Sequence, residues 1–559
     1  MRSSLAFGLL AVLEHAVAQS TLNTTQFSAL LDPKSGVLES LTSIASGFDF
    51  SPSDYFQDRS ASGQYHTGDL NLRVRTLGTS AWIDDSTAAN RNVSVSGQLA
   101  SSSLNPVLSK AGAYLNVSRT WSDLDGDLAL QFTVSNAHDS AIEIGSLGFP
   151  IEMNNIFVNR TAVETTNKCV LVDPFIGLHA GYVQATRLTG TGPNLVITPL
   201  GNLTKFEAWR FLEEPEDTSL GYRIQTYEGN YEFSVFTKAY VEEEWNATSP
   251  WNSPTSQTLA PGESITVGLR FSTASSVDQI EATVASKDVP VAVGVPGYVL
   301  AHDLQGKLFI NSSASISSMA ATPAAALIYK DEGLINDWHC VSVQSNNGSF
   351  GRARLDVTFK DGREMAVHYY ITDSGPETLT TFGNHLMTDQ WYTDTLDPFH
   401  RAPSVITWDN STQDYVLQDN RTWIAGLSDE GGAGSFLAEA MKTSVQPNAA
   451  EVAKLEDMVH QTVWGRLQIN NGSDKYGVRK SLFYYQPDLV PGYQYSPDFN
   501  WTVNPGESWN YSSAYIINRA YDYVHVSALY WSLYRAGTSY PGLLKQQTAD
   551  WYLLQSYET

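Results

Sequence analysis

The sequence predicts a mostly β protein with a helical C-terminal part: a large β-sandwich, a small β-sandwich, and then the start of a helical domain. Three observations carry this prediction. Apolar residues alternate with period two, between hairpin turns, over residues 19–275. The same texture returns at 297–375, after a break punctuated by Pro and Gly. From 376 onward apolar residues recur at spacings of three and four.

A chain of 559 residues is too long for one ordinary core, so several domains are expected. With 42% hydrophobic and 17% charged residues it is globular rather than disordered. Its formal net charge of −25 repels nucleic acid and anionic membranes. That excludes both as partners and suits a neutral one.

Residues 1–18 read as a secretory signal peptide. Arg2 is the positive start, Leu5 to Leu13 the short apolar run, and Ala16-Val17-Ala18 the cleavage site. No later segment reaches about 18 consecutive apolar residues, so no membrane anchor is expected. A secreted, extracellular location agrees with thirteen glycosylation sequons, at Asn23, Asn92, Asn116, Asn159, Asn202, Asn246, Asn311, Asn347, Asn410, Asn420, Asn471, Asn500 and Asn510. Cys169 and Cys340 allow either one disulfide or two buried thiols, and two cysteines exclude a disulfide framework.

Within 19–275, "AGAYLNVSRTW" and "LALQFTVSNAH" flank the turn "SDLDGD", a hairpin signal. "AIEIGSLGFPIEMN", "NYEFSVFTKAYVEEEW" and "ESITVGLRFS" follow the same period, and so many strands call for two packed sheets. "DLDGD" fails as a calcium loop, because the sixth and twelfth positions from Asp123 are Leu128 and Val134. Residues 276–296 read as a linker, with a short helix in "SSVDQIEATVAS" that puts Ile280 and Val284 on one face. In 297–375, "ARLDVTFKDGREMAVHYYITD" is a hairpin turning at "KDGR". Residues 376–510 mix linker and helices: Ser435 is placed to cap a helix after a Gly-rich loop, and Val452, Leu455, Met458 and Val459 share a helical face. Residues 511–559 read as a helical hairpin. Ile517, Tyr521, Val524, Ala528 and Trp531 recur along its first helix, which Gly537 ends. The second helix has no Gly, Pro or basic last turn to stop it, so the chain reads as ending early in a helical domain.

"IEIGSLGFPIEMN" and "LAPGESITVGLRFS" resemble the supersandwich domains that precede (α/α)6 toroids in secreted carbohydrate enzymes. "WIAGLSDEGGAGSFLAEAMK" and "YDYVHVSALYWSLYRAGTSYPGLLKQQTADWYLLQSYET" resemble a narrower group. These are fungal secreted glycoside-hydrolase-like proteins with a six-hairpin C-terminal half, some labelled glycoside hydrolase family 43. The resemblance covers most of the mature chain. It implies a supersandwich followed by a toroid, of which 511–559 is the first hairpin, and a carbohydrate-hydrolase activity. A family 43 catalytic domain is a five-bladed propeller, and no blade repeat is visible. The architecture and the hydrolase class therefore carry over, and no catalytic residue does.

The residues themselves place candidate chemistry in "DQWYTDTLDPFHRAPSVITWDN" and "NRTWIAGLSDEGGAGS". Glycoside hydrolysis needs one protonated and one ionised carboxyl group, with flat rings for sugar faces. The catalytic candidates are Asp429 and Glu430, one of which would pair with Asp397 or Asp409. Gly431-Gly432 offer a permissive loop beside them. Trp391, His400, Arg401, Trp408 and Arg421 are the substrate-binding candidates. Acidic residues before a helix also stabilise its N-terminus, which gives Asp429 and Glu430 a structural alternative. Tyr523 and His525 on the first long helix are further substrate-binding candidates. They keep open a lyase that abstracts a proton beside a uronic carboxylate. Trp245, Trp251, Trp501 and Trp509 suit either sugar stacking or packing. No metal-binding or cofactor motif occurs, so none is expected. The sequence thus points to a glycoside hydrolase with a carbohydrate substrate. The alternatives are a toroid-type polysaccharide lyase and a non-catalytic carbohydrate-binding protein.

Overall fold

The computed structural model describes residues 21–90, 93–98, 100–212, 230–246, 249–501 and 508–559, and the counts below are of these. The signal-peptide segment 1–18 and Asn92 lie outside them. The chain divides after Thr372 into two compact units.

The first unit holds both sandwiches. In the large one, eight described strands form one sheet in the order Val170–Phe175, Tyr182–Arg187, Asn194–Leu200, Ser264–Ala274, Asp127–Asn136, Leu115–Leu124, Ser101–Ser103, Ser96–Gln98. Facing it is a sheet in the order Ala208–Leu212, Asn230–Phe236, Ile142–Ile151, Asn71–Thr76, Ile83–Ser86, with Gln257–Leu259 also paired to Ile142–Ile151. Alternate residues of both sheets make one core, in which Phe132 stacks on Phe149 at 5.7 Å. "SDLDGD" is a two-residue hairpin turn: Leu124 pairs with Asp127, and Asp125 and Gly126 have φ of 55° and 90°.

Strand Ile142–Ile151 departs from simple alternation, since all ten residues are buried. Its inner face is apolar. Its outer face lies under a polar layer, and two glycines make room for it. A Cβ at Gly145 would stand 2.1 Å from the Trp82 ring, and one at Gly148 2.2 Å from the Glu232 carboxylate. Glu232 accepts hydrogen bonds from Asn71 (2.6 Å), Ser234 (3.0 Å), Tyr240 (3.0 Å) and Arg210 (3.3 Å). A sheet face bonded this fully can be buried without apolar residues.

The small sandwich stacks Val291–Val295, Gln305–Asn311, Trp338–Ser345 and Leu327–Ile335 on Val299–Ala301, Glu364–Thr372, Gly351–Phe359 and Ile316–Thr322. Its first strand falls inside the stretch read as linker. "VAVGV" hydrogen-bonds along Gln305–Asn311, so the Pro and Gly punctuation marks strand ends rather than a loop. The helix Ile280–Ser286 forms and buries Ile280 and Val284. "KDGR" turns with Gly362 at φ 89°, which relieves the strain a side chain would feel there. Cys169 and Cys340 are buried thiols that form no disulfide.

In the second unit, helices Gly375–Thr388, Glu430–Thr443, Ala449–Met458, Ala520–Ser539 and Ala549–Glu558 share a core that includes Leu386, Phe436, Leu455, Val526, Leu529 and Leu533. Val452, Leu455, Met458 and Val459 are all buried, as the spacing predicts. Three expectations are corrected. The second helix starts at Glu430 with Asp429 as its cap, so Ser435 is inside it. Gly431 and Gly432 belong to its first turn, where a Cβ would strike Ile424 and the Trp423 carbonyl; they serve close packing, not ligand approach. The long helix begins at Ala520, after Ile517, and runs through Gly537 to Ser539. It buries Val526, Leu529, Leu533 and Ala536, while Tyr521, Val524 and Trp531 are exposed. This helix carries two apolar stripes, and periodicity alone does not say which one packs.

Glu439, Lys442 and Glu451 are buried together among these helices. Burial, reinforced by the Glu451 charge, pushes the Glu439 carboxyl up to about 7. The folded state therefore keeps a proton that the unfolded chain releases near 4.5. Stability of the helical unit is full below that value and falls as pH rises through about 7. Glu439→Gln should flatten this decline, which is on the order of 2–3 kcal/mol. Urea unfolding of the helical unit at mildly acidic and mildly alkaline pH measures it.

Candidate functional site

The charged groups worth following sit where two helices begin. Asp429 caps Glu430–Thr443, accepting the Glu430 amide at 2.7 Å. Its other oxygen meets Nη1 of Arg519, the residue that precedes Ala520–Ser539. The same nitrogen donates to Asp522 at 2.7 Å, so one guanidinium joins two helix starts. Asp522 is fully buried, and its Oδ2 has no hydrogen-bond partner among the described residues. Burial raises its carboxyl to about 6; Arg519 opposes the rise and Asp429 adds to it.

A row of side chains extends from this bridge. Lys480 Nζ lies 3.8 Å over the Trp509 ring, and burial followed by the Arg519 charge lowers its pKa. Arg519 lies 5.9 Å from the Trp509 ring and 5.0 Å from that of Tyr521. Tyr521 touches His525 at 5.3 Å, one turn along the helix. Trp423 packs against Trp509 at 5.2 Å. Arg519 and Tyr521 remain partly open, and His525 Nδ1 has no partner among the described residues. The strip thus holds two cations, an aromatic pair, an exposed Tyr521 beside a half-buried His525, and a carboxyl raised to about 6.

The predicted residues divide among several places. Asp397 and Arg401 form a buried bidentate pair, at 3.0 and 2.9 Å. Arg401 Nη1 also donates to the Leu417 and Ala425 carbonyls, so both residues brace the loop beneath the site rather than line it. Asp409 lies in a surface turn, where bonds from Ser411 hold its carboxyl below the usual range. Neither residue bonds to Asp429 or Glu430 among the described interactions. The carboxylate that Arg519 joins to Asp429 is Asp522. Glu430 is exposed in the first helical turn. His400 is exposed at φ 57°, and Arg421 is paired with Asp419. Trp391 and Trp408 belong to a separate aromatic patch, Trp408 meeting His385 and Tyr415 edge-on. Tyr523 donates its hydroxyl to the Ile517 carbonyl at 2.7 Å. The described sequon asparagines are exposed or half-buried.

Sequence reasoning missed Lys480, Arg519 and Asp522. The one available signal was Asp522 three residues after Arg519, an acid in a first helical turn.

The chain belongs to DUF5695, a family of unknown function. The family's profile matches residues 30–559. No curated protein matches the chain. Among solved structures, a polysaccharide lyase superposes with a TM-score of 0.67 at 13% identity, covering 95% of this chain and 67% of the lyase. At that identity the likeness establishes a shared fold. A putative aldose 1-epimerase from Escherichia coli K12 matches 46% of this chain over 99% of its own, at 12% identity and a TM-score of 0.28. A galactose mutarotase-like protein from Lactobacillus casei matches 46% over 100%, at 13% identity and a TM-score of 0.26. This DUF5695 member thus shares the fold of that lyase, mostly β with helices following.

Asp397→Ala tests the bracing role. It leaves Arg401 buried without its counter-charge, and stability should fall by about 3–5 kcal/mol. A catalytic Asp397 would instead give a fully stable, inactive protein in the same urea titration.

Proposed function

We propose that this protein is a carbohydrate-active enzyme of the lyase type that cleaves a uronate-containing polysaccharide. The observation that carries this reading is the continuous strip Lys480–Trp509–Arg519–Tyr521–His525. A lyase has to neutralise the uronate carboxylate, remove the proton on the carbon beside it and protonate the departing oxygen. The C–H and C–O bonds break, and a C=C bond forms between the two carbons. Lys480 and Arg519 answer the first need, Arg519 with a planar fork that fits a carboxylate. The Tyr521–His525 pair answers the other two. On a chain of net charge −25, only cations within about a Debye length of roughly 8–10 Å attract such a substrate, which gives this pair its weight. The shared fold with a polysaccharide lyase supports the same reading. An extracellular location belongs to the proposal, on the support of residues 1–18 and the sequons.

Glycoside hydrolysis is the second reading, favoured by Asp522, whose carboxyl near 6 resembles a catalytic acid with Asp429 or Glu430 as its partner. Against it, the Arg519 guanidinium fills the gap between Asp429 and Asp522 that a glycosidase pair leaves for sugar and water.

Incubation with uronate-containing and neutral polysaccharides separates the readings. The lyase produces ultraviolet absorbance from its new conjugated double bond. New reducing ends without that absorbance identify hydrolysis, and silence on every substrate overturns both. His525→Ala should lower kcat/KM by at least about 100-fold while leaving circular dichroism unchanged.

A further inference from the structure

A cavity of roughly 260 Å³ opens in the first unit, well away in sequence from the strip above. Two of its walls are Trp209 and Trp251, which remain 39% and 46% exposed although large aromatic side chains are usually well buried. Each is held by an edge-on neighbour: Tyr231 at 5.0 Å from Trp209, and His368 at 5.2 Å from Trp251. Among the described residues, Arg352 is the cation in the lining. Its guanidinium lies 3.8 Å over Trp251, and Nη1 donates to the Ser249 carbonyl at 2.8 Å.

The floor is polar and buried. Glu207 is 1% exposed and accepts hydrogen bonds from Thr237 (2.8 Å), from the Thr255 amide (3.1 Å) and from the Thr255 hydroxyl. Asn252, 3% exposed, donates Nδ2 to the Ile176 carbonyl at 2.8 Å and to the Glu207 carbonyl at 2.9 Å. Two carbonyl acceptors fix the orientation of this amide, since a flipped oxygen would repel both. Its Oδ1 is therefore a true acceptor, and it has no hydrogen-bond partner among the described residues. A buried acceptor left open costs about 1–3 kcal/mol, and Asn252 is one of the residues around the cavity.

We propose that this cavity is a non-catalytic binding site for one neutral pyranose unit of a glycan. A sugar ring has C–H faces that bury well on indole and a rim of hydroxyl donors. Trp209 and Trp251 match the faces, and the polar residues around the cavity, Ser249, Asn252 and Glu207 among them, suit the rim. The volume suits one ring, below the roughly 300–1,000 Å³ of pockets for larger ligands. The Glu207 carboxyl in the lining argues against a uronate here. The site anchors a chain outside the helical unit, and its existence does not rest on the lyase reading.

Binding is tested on the whole secreted chain with cellotetraose, mannotetraose, xylotetraose and galactotetraose, and with tetragalacturonate as the charged control. Tryptophan fluorescence and saturation-transfer NMR are the readouts. At least one neutral tetrasaccharide should bind, and Trp209→Ala and Trp251→Ala should each weaken it by about 10-fold or more, as loss of an aromatic platform does. Both rings are surface-exposed, and circular dichroism confirms folding of each variant. His525→Ala should bind the same sugar unchanged, so failure of the catalytic proposal and failure of this one are told apart. No binding by any neutral tetrasaccharide, or binding untouched by both tryptophan substitutions, overturns the proposal.

Discussion

Pairing of buried charge is the constraint on which the rest of this structure depends. The chain carries 59 acidic and 34 basic residues, yet Arg59, Arg119 and Arg401 are among its fully buried side chains. An ion taken out of water without a partner is penalised by several kcal/mol, so several buried carboxylates draw scarce cations inward. Glu152 gathers Arg59 and His66. Asp127 gathers Arg270 and Lys287, which ties a hairpin, a long strand and the end of a short helix to one point. Asp397 gathers Arg401, and through it the carbonyls of Leu417 and Ala425.

The same constraint shapes the outer face of the second sheet of the large sandwich. Its central strand is buried on both sides because the outer side is satisfied by hydrogen bonds rather than by apolar contact. Glu232 lies flat over Gly148, and Trp82 over Gly145. Both glycines are consequences of what lies above them. Either substituted by alanine would push a charge or an indole out of its place.

Function is read where that pairing is left incomplete. Asp522 Oδ2, His525 Nδ1 and Asn252 Oδ1 are among the buried polar atoms without hydrogen-bond partners among the described residues. The first two stand on the cationic strip of the helical unit, and the third belongs to a residue around the aromatic cavity of the sandwich unit. Arg401 and Arg519 make the contrast. Arg401 is closed off by a bidentate carboxylate and two carbonyls. Arg519 bridges two acids and still shows a third of its side chain to solvent.

Local chemistry let the sequence by itself determine the hairpin at Asp125-Gly126, the turn at Gly362, the apolar face Val452–Leu455–Met458–Val459 and the passage from strands to helices. Each depends on residues a few positions apart: a backbone that tolerates φ above zero, or a repeat of two or of three and four. The tertiary structure alone decided which stripe of Ala520–Ser539 is buried, why Gly145 and Gly148 sit in a strand, and which acid stands beside Asp429. Asp429 and Asp522 are 93 residues apart in the chain, Asn71 and Glu232 are 161 apart, and Trp209 and Arg352 lie on different sandwiches. Nothing local distinguishes an aspartate braced by a buried arginine from one poised to titrate. Burial and neighbours set that difference, and only the folded chain supplies them.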